Sequence, residues 1–139
     1  MRFLGGEPVP ADAVPVVVQR WIDDWDRFRA GKFVAVRSDD GAIVGRVGLN
    51  FFDTSTWERS TSPDAQPELG WALAREHWGH GYATEAARAV REWASVEHLV
   101  SLIAPDNVRS RRVAQRLGAE PAGSMTFPDS GPAIIWVHP

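Results

Sequence analysis

The chain has 139 residues, 15 Lys and Arg against 18 Asp and Glu for a net charge of −3, and 44% hydrophobic content. That length suits one domain, residues 1–139, with a core of useful size, and the acidic balance is a poor match to a nucleic-acid binder. Cysteine is absent, which excludes disulfides, thiolate metal sites and a thiol nucleophile.

Met1-Arg2-Phe3-Leu4-Gly5-Gly6 runs into a Pro-rich segment before an apolar stretch develops, so no secretory leader is expected. No run approaches the roughly 20 apolar residues of a membrane span, and a cytoplasmic location is the expectation. Val14, Val17, Val18, Trp21, Ile22, Trp25 and Phe28 fall at helical spacing. They predict a first helix from Asp12, as N-cap, to Arg29, ended by Gly31. Phe33 to Arg37 and Ala42 to Leu49 read as strands of a hairpin turned by Ser38-Asp39-Asp40-Gly41. Thr54 to Pro67 reads as a loop, and a strand follows from Glu68 to Ala74. Beyond a glycine turn come a helix to about Val96, a strand Leu99 to Ile103, and a helix Asn107 to Leu117 closed by Gly118. Ser124 to Phe127 and Ala133 to His138 form a closing antiparallel pair. Hairpins first and a β-α-β-α run later predict an α/β (α+β) mixed sheet with helices on both faces.

The segment from Gly70 to Ala94 is the most informative. A short apolar run breaks at Gly79-His80-Gly81 and becomes the helix-forming Tyr82-Ala83-Thr84-Glu85-Ala86-Ala87. Such a turn aims backbone N–H groups outward at the positive end of a helix, and two glycines let an anion approach them. It reads as a pyrophosphate cradle. A P-loop needs Lys and Ser/Thr after its last glycine, whereas Tyr82-Ala83 stands there. A dinucleotide fingerprint needs a third glycine where Thr84 stands.

The residues Glu68-Leu69-Gly70-Trp71 and Trp78-Gly79-His80-Gly81-Tyr82-Ala83-Thr84-Glu85-Ala86, followed by Asn107-Val108-Arg109-Ser110 and Leu117-Gly118, resemble the coenzyme A blocks of the GNAT acyltransferases. The closest resemblance is to the RimJ/RimL-like branch, which acetylates amino groups. The resemblance implies the GNAT fold, with a mostly antiparallel sheet, and acetyl-CoA as co-substrate without a metal. It implies cofactor contacts at Trp71, Ala72, Leu73, Ala74, Trp78, Gly79, His80, Gly81, Tyr82, Ala83, Thr84, Asn107 and Ser110. The acceptor would be a protein N-terminus or a small amine, with no nucleic acid or membrane as partner, and a homodimer is allowed. The chain departs from the pattern at Glu76, where Gln or Arg is usual. It also departs at its start, where Met1 to Gly6 stand in place of a family strand of the Arg-Leu-x-Leu-Arg kind.

An alkylammonium must lose a proton before attacking a thioester, and the departing thiolate needs a proton or a hydrogen bond. Without cysteine, direct transfer in a ternary complex is the expected route. By the resemblance, Glu68 is the candidate base and Ser110 the candidate donor to the leaving sulfur, with Asp53 and His77 as weaker bases. Glu68 also admits a plain reading as a solvated strand-end carboxylate, and Asn107 as a helix cap. His77 and His80 lack a third metal ligand, and Arg109, Arg111, Arg112 and Arg116 read as a solvated face before a phosphate or nucleic-acid site. The competing function is an acetyl-CoA-binding module with an incomplete acceptor site.

Overall fold

A computed structural model describes residues 10–139. The expected lack of a first strand concerns Met1 to Gly6 and lies outside the described residues. The elements are α1 (Val14–Phe28), β1 (Lys32–Val36), β2 (Ile43–Phe52), β3 (Gln66–Leu73), a single 3-10 turn (Arg75–His77), α2 (Tyr82–Ala94), β4 (Val100–Ile103), α3 (Val108–Arg116), β5 (Glu120–Phe127) and β6 (Gly131–Val137). The strands make one six-stranded sheet in the order β1-β2-β3-β4-β6-β5. All neighbours are antiparallel except β3 and β4. A parallel pair needs a crossover, and α2 supplies it. That pair is in register at Glu68↔Val100 alone, so the two strands part toward their carboxyl ends.

Alternation along β2 gives the sheet two unlike faces. Val47, Leu49 and Phe51 point one way and join Leu69 of β3, Ala87 and Val90 of α2, Val113 of α3 and Leu117 just after it in the main core cluster. From α1, Phe28 stacks on Phe51 with ring centroids 3.8 Å apart. A smaller cluster under α3 holds Ile103, Ala114, Ala119 and Trp136. The opposite face of the β2–β3 pair carries Arg46 and Asn50 from β2 and Glu68 from β3, polar groups with glycines between them. There α1 contributes Trp21, whose ring lies 5.4 Å from the Arg46 guanidinium.

Several boundaries differ from the sequence expectation, each for a local reason. Asp12 does not cap α1; Ala13 holds that place without a side-chain bond, and Pro15 sits in the first turn, where a missing N–H is harmless. Arg29, not Gly31, closes the helix, with φ 57° and its N–H on the Trp25 carbonyl at 2.9 Å. Gly31 serves packing instead, since a Cβ there would come within 2.8 Å of the Trp25 ring. β2 runs on to Phe52 and β3 starts at Gln66, because the two strands pair without a break from Gly45↔Leu73 to Phe52↔Gln66. The expected loop is therefore shorter, and a Phe52↔Arg59 bridge holds it down. α2 stops at Ala94, where Ser95 takes φ 50°. β5 and β6 are longer than the Ser124 to Phe127 and Ala133 to His138 segments suggested. Gly118 closes the last helical turn with φ 81°, as its position implied.

Candidate active site

β3 and β4 each feed a helix at their parting ends, so the first turns of α2 and α3 meet over one gap. Gly79 and Gly81 hold φ of +86° and +76°, and a Cβ on either would meet nothing within 4 Å. The turn is thus bare on its outer side. Within α2, Glu85 is the first residue to return its N–H to the chain, on the Gly81 carbonyl at 3.0 Å. The N–H groups of Gly79 to Thr84 donate to no group among the described residues and remain for a ligand. Thr84 Oγ1, buried in the same turn, has no hydrogen-bond partner among the described residues.

Around this turn the sequence-derived contacts gather as follows. Trp78 donates its indole N–H to the Leu73 carbonyl at 3.0 Å. Its ring lies under the Arg109 guanidinium of α3 at 4.1 Å and that of Arg75 at 5.4 Å. Tyr82 stacks on His80 at 5.3 Å, and Arg37, hydrogen-bonded to Asp40, has its basicity raised by Asp40 first and by Tyr82. Ala72, Leu73 and Ala74 line the way from β3 into the turn, and Ala83 packs against the main core cluster. On α3, Asn107 Oδ1 accepts the Ser110 N–H at 3.2 Å, so the cap exists. Trp71 of β3 donates its indole N–H to Ser110 Oγ at 3.2 Å. With that acceptor position filled, the hydroxyl proton of Ser110 is free to point elsewhere. Ala114, one step down the same helix face, is fully buried, so that face enters the core after Ser110.

Glu68 stands at the last paired rung of β3 and β4. It is only 6% exposed, which removes the solvated strand-end reading. Asn50 donates its side-chain N–H to Oε1 at 2.7 Å, and the Leu102 N–H donates to Oε2 at 3.3 Å. Leu102 can reach the carboxylate because β4 has by then left β3. Burial pushes the Glu68 carboxyl above its ordinary range, opposed by the Asn50 bond, the Lys32 charge, the Leu102 N–H and Arg46. Asn50 is itself held: Lys32 Nζ donates to its Oδ1, and Arg59 Nη1 does so at 3.2 Å. Lys32 also reaches the Leu49 carbonyl at 3.1 Å, and burial lowers its pKa to about 8. Arg59 completes the chain on the buried Asp24 at 2.5 Å. Each Glu68 oxygen keeps a lone pair beyond these bonds, so the carboxylate can still accept a proton, directly or through water.

The weaker base candidates lie elsewhere. Asp53 is an exposed loop residue whose carboxylate takes the Ser55 hydroxyl and N–H, which lower its pKa. His77 sits in the 3-10 turn, 3.9 Å from Glu76. Neither touches Glu68. Sequence reasoning missed Asn50, Lys32, Arg59 and Asp24. The available signal was Asn50, a polar residue in step with Arg46 and Gly48 on an otherwise apolar strand. A second polar chain was also missed: Arg91 faces His138 Nδ1 at 3.4 Å, His138 Nε2 meets Ser101 Oγ at 2.8 Å, and Ser101 donates to the Leu69 carbonyl at 2.6 Å. Because the Ser101 proton goes to Leu69, His138 must donate from Nε2 and accept at Nδ1. The serine thereby satisfies a β3 carbonyl next to the gap.

A family model described as Acetyltransferase (GNAT) domain matches residues 1–120. The uncharacterized protein YkkB of Bacillus subtilis (strain 168) is 46% identical over 55 residues, 37% of this chain and 32% of that protein. The chain spans between 32% and 52% of the length of the curated relatives it matches. Among solved structures, a GnaT-family acetyltransferase from Bordetella pertussis is similar at TM-score 0.79 and 27% identity, covering 98% of this chain and 81% of that one. An acetyltransferase from Agrobacterium tumefaciens str. C58 is similar at TM-score 0.76 and 28% identity, covering 96% and 74%.

Proposed function

Because this chain belongs to the GNAT acetyltransferase family, we propose that it moves the acetyl group of acetyl-CoA to a primary amine in a single ternary complex. The acceptor is a protein N-terminus or a small-molecule amine, as in the RimJ/RimL-like branch its motifs resemble. One observation carries the proposal. A buried, hydrogen-bonded Glu68 and a hydroxyl with a free proton, Ser110, flank the gap where two helix N-termini converge on parting strands.

The cradle fits the pyrophosphate of coenzyme A. Positive-φ glycines leave open space above it, and unpaired N–H groups at a helix start favour an anion. The adenosine and phosphates supply binding, and the thioester supplies an acyl group with a thiolate leaving group. Glu68 accepts the proton that the attacking amine gives up as nitrogen bonds to the acyl carbon. Its raised affinity for protons makes it a stronger base than a surface carboxylate. Ser110 donates its free proton as a hydrogen bond toward the departing sulfur as the carbon–sulfur bond breaks. The Trp71 and Asn107 bonds fix where that hydroxyl points.

The test is turnover. Enzyme, acetyl-CoA and a panel of amines are combined, and N-acetyl product and free CoA thiol are quantified together. One acetylated amine per CoA thiol is expected. Tight acetyl-CoA binding with no acetylated amine from any acceptor would favour the other reading, a cofactor-binding module without transferase activity.

A further inference from the structure

The polar face of the β2–β3 pair holds more positive charge than its own carboxylates can satisfy. Antiparallel register sets Arg46 opposite Ala72, Gly48 opposite Gly70, and Asn50 opposite Glu68. Strand alternation puts all six residues on one side of the sheet. Between the Arg46 rung and the Glu68 rung this face carries only Gly48 and Gly70; the backbone of Gly31 and Lys32 closes over Gly48, while over Gly70 the nearest groups are the Glu68 and Asn50 side chains. The rungs are four residues apart, about 13 Å along the strand. The result is a narrow strip along β3, over Gly70 and Ala72, with a carboxylate at one end and a guanidinium at the other.

The charges on this strip are unevenly matched. Lys32 is committed to Asn50 and the Leu49 carbonyl, and Arg59 to Asn50 and Asp24. Arg46 is half-buried, its guanidinium lies over Trp21, and among the described residues it has no hydrogen bond or ion pair. Three cations, Lys32, Arg46 and Arg59, thus surround two carboxylates, Glu68 and Asp24. A partly desolvated guanidinium with all its donors unmatched is costly unless an anion completes it. Arg46 and Glu68 share this face, and the Glu68 carboxylate leans over Gly70 toward the Arg46 rung, so a molecule of modest length can span them.

Resting on the acetyltransferase reading above, we propose that the acceptor is an amine carrying its own anionic group, with the amine at Glu68 and the anion paired to Arg46. The shared chemistry is an oxyanion, either a carboxylate or a phosphate. A polycationic amine is the acceptor this strip disfavours most, since it would add charge beside Lys32, Arg46 and Arg59.

Matched acceptor pairs test this: β-alanine against β-alaninamide, 4-aminobutyrate against its amide, and 2-aminoethyl phosphate against ethanolamine, with spermidine as the polycation. In the wild type kcat/KM should favour the anionic member of at least one pair by about tenfold, the worth of a charge-assisted hydrogen bond. Arg46→Gln should bring that ratio near one, and Arg46→Lys should keep part of it. The pair that responds separates carboxylate from phosphate. Calorimetric binding of the same pairs, and of their N-acetyl products, supplies a readout independent of turnover. A carboxylate or phosphate preference in binding without any acetylation would overturn the transferase reading and leave the anion site standing. Equal affinity and rate within every pair, a preference for spermidine, or a ratio unchanged in Arg46→Gln would overturn the anion site.

Discussion

Glu68 owes its character to where β3 and β4 separate. Two donors, Asn50 and the Leu102 N–H, hold an ionised carboxylate, while burial raises its proton affinity. A base with a raised pKa loses activity at a higher pH than an ordinary carboxylate as acid is added. The acid limb of kcat/KM is therefore expected above 4.5, the ordinary value for Glu. Glu68→Gln should lower turnover by ~10² or more near neutral pH, abolish that limb, and recover partly at high pH where the amine sheds its own proton. A Glu68→Gln variant with the wild-type rate and pH profile would reduce Glu68 to a structural role. Ser110→Ala should lower kcat roughly 5- to 30-fold with acetyl-CoA affinity nearly unchanged, because a bond to the leaving sulfur strengthens only in the transition state. Loss of affinity at constant kcat would instead make Ser110 a ground-state contact.

At the scale of elements, the glycine turn and α2 are legible in the sequence because their signals are local. Gly79 and Gly81 announce positive φ, and the Tyr82 to Ala94 run is helical by composition and period. Asn107 capping α3 and Gly118 ending it are legible for the same reason. The pairing of Asn50 with Glu68 and the approach of Trp71 to Ser110 are not. They depend on cross-strand register and on α3 folding back over β3, which no short window of sequence contains. At the end of α1, Gly31 imitates a stop signal, although its lack of a side chain serves the Trp25 ring. The cradle is tested by Gly81→Val and Gly81→Asn. Asn tolerates the left-handed conformation better, so it should cost less thermal stability than Val. Both put a side chain into the open space over the turn, and both should weaken acetyl-CoA binding by at least about tenfold, ~1.4 kcal/mol, in calorimetry. Wild-type affinity in the Asn variant would remove the pyrophosphate from this turn.

In the whole molecule, the sheet serves two purposes on its two faces. One buries the core under α2 and α3, and the other carries the charged strip that ends at Glu68. The Arg91–His138–Ser101–Leu69 chain ties the last residues to β3 beside the gap, and it makes stability depend on pH. Burial, with Arg91 beside it, lowers the His138 pKa from 6.5 to about 4. The unfolded chain therefore takes up a proton that the folded chain refuses. The contribution of His138 is complete above pH 6.5 and falls away between 6.5 and 4, by on the order of 2 to 3 kcal/mol. His138→Gln keeps a donor for Ser101 without titrating, so urea unfolding of that variant should show a flatter dependence over that range. Identical slopes in both proteins would exclude the histidine. The most direct measurement for the molecule as a whole is a crystal structure with a non-hydrolysable acetyl-CoA analogue. The pyrophosphate is expected on the N–H groups of Gly79 to Thr84, with the acyl carbon in the gap between β3 and β4, between Ser110 and Glu68. An analogue bound with its pyrophosphate away from that turn, or with its acyl group outside the gap, would contradict the account.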